Sequence, residues 1–165
     1  MTRKPGPARA PTGPFSPFGI AIVVGVVIVD RVAKQVAEAS LPYDEPIPLL
    51  PILTLLRTYN TGIAFSFLAG LGSIALIVLT AAISGIVLLA WWRANERSRL
   101  AAAGYALIVG GALGNLIDRV AYGHVIDFLL LHLGDRSLFV FNLADAALTL
   151  GPAMLILVYL FRRPD

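Results

Sequence analysis

The sequence predicts an all-α membrane protein: four transmembrane helices with a small extracytoplasmic β-containing segment. Three observations lead there. Of 165 residues, 58% are hydrophobic and 14% charged, and a mean hydropathy of +0.81 is too apolar for an ordinary soluble domain. Four runs, Phe18–Val36, Gly70–Trp92, Leu100–Val120 and Leu143–Phe161, approach the length of about 20 apolar residues that a hydrocarbon core demands of a helix. The charges are also sorted. With both termini on one side, the tail (Arg3, Lys4, Arg9), the link after the second span (Arg93, Arg97, Arg99) and the C-terminus (Arg162, Arg163) gather eight of thirteen basic residues there, with only Glu96 and Asp165 as acids. Basic residues are retained in the cytoplasm, so both termini are expected there.

Taken in order, residues 1–17 are rich in Pro and Gly and read as a disordered cytoplasmic tail, leaving 18–165 as one four-helix domain. The basic start, the apolar Phe18–Val29 and Ala37-x-Ala39 imitate a removable signal peptide. Asp30, Arg31 and Lys34 intrude before the supposed cleavage site, so a retained anchor is expected. Asp30 and Lys34 stand at i, i+4 and predict a pair on one helix face. Pro42, Pro46, Pro48 and Pro51 forbid a continuous helix over Leu41–Pro51. Ile52–Phe67, rich in Ile, Leu, Thr, Tyr and Phe, predicts short strands, with a turn at Asn60-Thr61-Gly62. That outer segment is too apolar to face water and is expected to lie on the membrane, its apolar Ile52–Phe67 surface clamping a bound molecule from above. In the third span, Gly110-xxx-Gly114 permits close helix approach. The return from Ala121 to Asn142 closes on Leu138–Phe141, which is β-prone and expected to be extended.

Chemistry is narrowed by what is missing. The chain has no cysteine, which excludes disulfides, thiolate nucleophiles and cysteine metal sites. His124 and His132, at i, i+8, lack a zinc spacing and point to interfacial or hydrogen-bonding roles. Basic residues flank spans instead of forming one patch, so no nucleic acid partner is expected. Charged groups in so apolar a chain are costly and mark function. Asp127 and Asp145 are the foremost pair. Blander roles exist: Asn142 as a helix N-cap with Asp145 in the first turn, and Asp118-Arg119 as a structural ion pair. Nothing in the spacing supports a Ser66–Lys34 nucleophile pair. Yet Asp30/Lys34, Asn60, Asn115/Asp118/Arg119, Asp127 and Asn142/Asp145 all fall at one non-cytoplasmic level, which independent caps would not require. A carboxylate dyad at the membrane surface, sharing one proton, accounts for the gathering. Two other classes compete. A metal-dependent hydrolase would use Asp118, Asp127, Asp145 and a histidine, but His-Glu-x-x-His is absent. A proton-coupled transporter needs a polar path across the bilayer, and the second span carries no charge.

Five blocks together resemble a known family. Asp30-xxx-Lys34, Asn60-Thr61-Gly62-Ile63-Ala64-Phe65-Ser66, Gly114-Asn115-Leu116-Ile117-Asp118-Arg119, Val125-x-Asp127-Phe128 and Phe141-Asn142-x-Ala144-Asp145 are similar, in order, to the signature blocks of lipoprotein signal peptidase, signal peptidase II. The likeness covers about residues 18–161. Ile63 departs from the alanine common in the family, and the N-terminal tail is outside its pattern. The resemblance implies a multi-pass aspartic endopeptidase of the bacterial inner (plasma) membrane, with its active site towards the outer face. It implies cleavage of prolipoproteins just before a cysteine bearing diacylglycerol, with Asp127 and Asp145 catalytic. Asn60, Asn115, Asp118, Arg119 and Asn142 are implied around the dyad, and Asp30 and Lys34 in support. It further implies no metal or organic cofactor, membrane lipid as surroundings, and a cleft open to globomycin-type inhibitors. A monomer is expected.

Overall fold

The first helix, α1 (Pro17–Ser40), starts where the Ser16 hydroxyl accepts the Gly19 N–H and Pro17, with no N–H to satisfy, enters the first turn. The computed structural model describes residues 12–62, 72–94 and 96–161. Most of the expected tail, including Arg3, Lys4 and Arg9, lies outside them, as do Ile63, Phe65, Ser66, Phe67, Arg162 and Arg163. Among the described residues three further helices follow: α2 (Gly72–Ala94), α3 (Arg99–Tyr122) and α4 (Leu143–Leu160). Stretches of α2, α3 and α4 are long and apolar enough to cross a membrane: Ile74–Ala94, Arg99–Tyr122 and Leu143–Leu160. The fourth expected span, α1, has the length at 24 residues, about 36 Å at 1.5 Å per residue. Its second half is more polar, carrying Asp30, Arg31, Lys34 and Glu38, and it runs four residues past the expected end at Val36.

α3 is the hub. In its most apolar stretch 56% of residues are buried, against 11% in α2 and 17% in α4, so the other helices pack around it. Small residues make this possible. A Cβ on Gly110 would lie 2.8 Å from Val26 of α1, and one on Gly111 only 2.5 Å from the Ala144 carbonyl oxygen of α4. The expected close approach at Gly110 and Gly114 is thus made towards α1, with Gly111 serving α4.

A four-stranded antiparallel sheet caps one end, in the order β1 (Ile47–Leu50), β2 (Leu53–Asn60), β3 (Val125–Leu133), β4 (Arg136–Phe141). β2 fills the first part of the expected strand region, and β1 falls in the proline-rich stretch before it. Leu138–Phe141 is extended as expected, inside β4. β3 is the larger addition: the return connection is a hairpin, its strands joined by Gly134-Asp135 with Gly134 at φ 56°. At the opposite end the N-terminal segment, the α2–α3 link and α4 meet. The Trp91 indole donates to the Thr12 carbonyl at 3.0 Å, the Thr12 N–H to the Glu96 carbonyl at 2.7 Å, and the Tyr159 hydroxyl to the Glu96 carboxylate at 3.2 Å.

Replacing Gly111 by leucine drives a side chain into the α4 backbone and is expected to cost at least about 1–3 kcal/mol of overpacking. Gly85→Ala, where nothing lies within 4 Å, is expected to be neutral or to gain up to about 1 kcal/mol of helix propensity. Thermal unfolding of the detergent-solubilised variants separates the two.

Candidate active site

Asn142 ends the sheet and begins α4. Its side-chain oxygen accepts the Asp145 N–H at 3.0 Å, while the Asp145 carboxylate accepts the Asn142 N–H at 3.2 Å, a reciprocal capping box. The plain structural role expected of these residues is therefore present, and it is what aims the carboxylate. With its oxygen engaged, the Asn142 side chain turns its NH2 outward, donating to Asp127 Oδ1 at 2.7 Å. One residue thus grips both carboxyl groups.

Asp127 stands on β3 opposite Thr58 of β2. Asn60, two residues along that strand and so on the same face, donates to Asp127 Oδ2 at 3.0 Å. The Asn60 oxygen is held by the Gly62 N–H at 2.8 Å, in a turn where Gly62 takes φ 98°; an L side chain would be strained there. Asp127 is 2% exposed. Burial, joined by the charge of Asp145, pushes its carboxyl up to about 6, against the opposing pull of the Asn60 and Asn142 hydrogen bonds and of Lys34.

Asp145 Oδ1 accepts the Asn115 side-chain N–H at 2.7 Å. Asn115 in turn accepts from Lys34 Nζ at 3.0 Å. Lys34 lies 2.7 Å from both Asp30 Oδ2 and Asp118 Oδ2, and all three are fully buried. The expected Asp30–Lys34 pair exists, then, but inside the bundle instead of on a solvated helix face. Asp30 Oδ1 also accepts the Ala144 N–H at 2.9 Å, tying α1 to the first turn of α4.

Asp118 does not pair with its neighbour Arg119. Its second cation is Arg31, which also donates to the Tyr122 hydroxyl at 2.9 Å. A side chain pointing the other way round α3 explains this: Arg119 reaches the Asn115 carbonyl at 3.4 Å and faces the cleft. Arg31 and Tyr122 are supports that the sequence reading did not assign to the site; the signal available was a further charged residue beside Asp30 in a helix long enough to cross a membrane, which must find a partner. The histidines lie elsewhere. His124 packs on the Tyr59 ring at 4.3 Å, and His132 hydrogen-bonds Thr54 at 3.1 Å. Among the described residues no group of three or more His, Asp or Glu is arranged to hold a metal.

A cleft of about 370 Å³ opens on this network. Asn60, Arg119 and Asp145 supply its polar wall, with Leu76, Leu79 and Ile83 of α2 and Phe139 and Phe141 of β4 opposite. The arrangement offers two carboxyl groups, amide donors and a cation at the mouth of an apolar slot.

The family described as Signal peptidase (SPase) II matches residues 22–161. The lipoprotein signal peptidase of Mesorhizobium japonicum is 44% identical over 142 residues, covering 86% of this chain and 84% of that protein. That of Brucella ovis is 46% identical over 136 residues, covering 82% and 85%. Two solved structures of a bacterial membrane enzyme, both determined by the in meso method, superpose with TM-scores of 0.79 and 0.80 at 27% and 28% identity. They cover 92% and 90% of this chain, and 95% and 96% of their own. The chain belongs to the signal peptidase II family.

Lys34→Met leaves the buried Asp30 carboxylate without its cation and Asp118 with Arg31 alone, and breaking a buried ion pair from one side costs about 3–5 kcal/mol. The variant is expected to unfold at markedly lower temperature than the wild type, measured by tryptophan fluorescence in detergent, whereas Arg136→Met on the exposed hairpin is expected to be silent.

Proposed function

We propose that Asp127 and Asp145 are the catalytic dyad with which this membrane peptidase removes the signal peptide from prolipoproteins, cutting just before a cysteine that already carries diacylglycerol. The observation that carries this is the double grip of Asn142, whose side chain and backbone N–H hold one carboxyl group each. Two carboxyls so close share a proton instead of both ionising. The raised Asp127 makes it the holder of that proton. Asp145 then takes a proton from water as the water oxygen attacks the scissile carbonyl carbon. Asp127 hydrogen-bonds the carbonyl oxygen as it gains charge, and collapse of the tetrahedral adduct sends a proton to the leaving amine. Arg119, at the cleft wall, balances the negative charge. No metal or organic cofactor enters this chemistry.

The membrane setting fits. α1 supplies the fourth crossing, because the N-terminal segment, the α2–α3 link and the end of α4 share one end of the bundle, and the sorted basic residues put that end in the cytoplasm. The dyad then faces the outer side of the bacterial inner membrane. The substrate's acyl chains stay in lipid, where each methylene contributes about 0.8 kcal/mol of anchoring. The enzyme acts as a monomer in this reading, and globomycin-type inhibitors would fill the same cleft.

Asp127→Asn and Asp145→Asn are each expected to fold and to lose activity on a diacylglyceryl-modified precursor by a factor of at least about 10³, with wild-type activity indifferent to chelator. Activity that survives in either variant, or that chelator abolishes, overturns the dyad. The pH profile gives a second test. The free enzyme needs Asp127 protonated, so kcat/KM is expected to fall as pH rises through about 6. The Asn60 hydrogen bond favours the charged form, so Asn60→Ala is expected to move that limb to higher pH.

A further inference from the structure

The active-site cleft is not the only opening beside Asp145. A second cleft, of about 300 Å³, lies between β4 and α4, bounded by Phe139, Phe141, Asp145, Ala146, Thr149 and Leu150. A third, of about 400 Å³, lies between α1, α3 and α4 and has an entirely apolar lining that includes Gly25 and Val29 of α1 and again Ala146 and Leu150. Ala146 and Leu150 are i, i+4 on α4 and so stand in one row, a ridge with one cleft on either side. At its upper end is Asp145. The Phe139 and Phe141 rings, 5.5 Å apart, line both the active-site cleft and the second cleft, so they stand between the two.

We propose that the lipid on the substrate cysteine is held in this fork, with one acyl chain on each side of the Ala146–Leu150 ridge and the peptide in the active-site cleft beyond Phe139 and Phe141. This rests on the lipid-specific activity proposed above and names the surface that reads it. The chemistry sorts the occupants. An extended peptide near its scissile bond needs hydrogen-bond partners, and Asn60 and Arg119 are in the first cleft. The fork offers none to a ligand at Thr149, whose hydroxyl is turned into its own helix, donating to the Asp145 carbonyl at 2.9 Å. Two alkyl chains joined at one glyceryl stem match two neighbouring apolar slots that converge next to a catalytic carboxylate.

Lipid tails are as apolar as the groove, so the fork gains packing and not transfer from water. Its mark is therefore a modest preference for long chains. The test uses the full chain in detergent micelles with synthetic precursors whose cysteine bears a diacylglyceryl group of two long or two short chains, beside the unmodified peptide. Gly25→Leu fills the third cleft, where an added Cβ meets nothing within 4 Å; Thr149→Leu fills the second. Each is expected to raise KM for the long-chain precursor about fivefold through lost packing, with kcat and all short-chain values unchanged and thermal unfolding as in the wild type. A long-to-short ratio that stays at the wild-type value in both variants leaves the chains in bulk lipid and overturns the fork. Loss on both precursors alike marks a structural phospholipid in the slots and overturns it too. Failure of the underlying activity looks different: wild type would then cut lipidated and unmodified peptides equally.

Discussion

The Lys34 ammonium holds the site together. It has three N–H donors and three partners, the carboxylates of Asp30 and Asp118 and the Asn115 oxygen, all within 3.0 Å. A buried cation with that many fixed acceptors admits few alternative arrangements of α1 and α3. Asp30 carries the constraint onward by accepting an N–H from the first turn of α4. The amide of Asn115 is oriented as a result: an oxygen facing an ammonium leaves its NH2 to face Asp145. The hydrogen bond to the Asp145 carboxylate is therefore set by a lysine that does not touch that carboxylate.

That dependence explains which parts of the site were legible in the sequence. Charged and amide side chains inside apolar helices had to have partners, so Asp30, Lys34, Asn115 and Asp118 stood out at once. Which partner each would take was not legible, because neighbours in sequence point about 100° apart around a helix. Asp118 and Arg119 are adjacent and yet face different surroundings, one the buried lysine and the other the cleft. Arg31, next to Asp30, was passed over for a similar reason. Its partner lies 87 residues away in the chain, and only the packing of α1 on α3 brings the two together.

The helices themselves were legible, since length and hydropathy suffice for them. The sheet was less so. β3 begins Val125-Ile126-Asp127-Phe128 and continues through three leucines, a run without the alternation that marks a half-exposed strand. Its first four residues are all buried, which accounts for the missing polar face. β3 nonetheless makes the site, because pairing with β2 sets Asn60 and Asp127 on one face. A one-residue slip in that register would turn Asp127 away from Asn142 and leave a buried carboxylate without its donors. The bulge between Leu55 and Thr58 lies just before this stretch, where it resets the register the hydrogen bonds need.

Charge closes the account of how two acids persist here. Asp30 and Asp118 are matched by Lys34 and Arg31, so the network beneath the dyad is formally neutral and exerts little net field on it. Arg119 is the one further cation among the described residues that line the cleft. Two ionised aspartates beside it would leave one negative charge in excess, and two protonated ones would leave a positive charge in excess. A single shared proton balances the site. In a water-poor setting net charge is costly, so this balance suits the half-protonated pair from which the proposed mechanism starts.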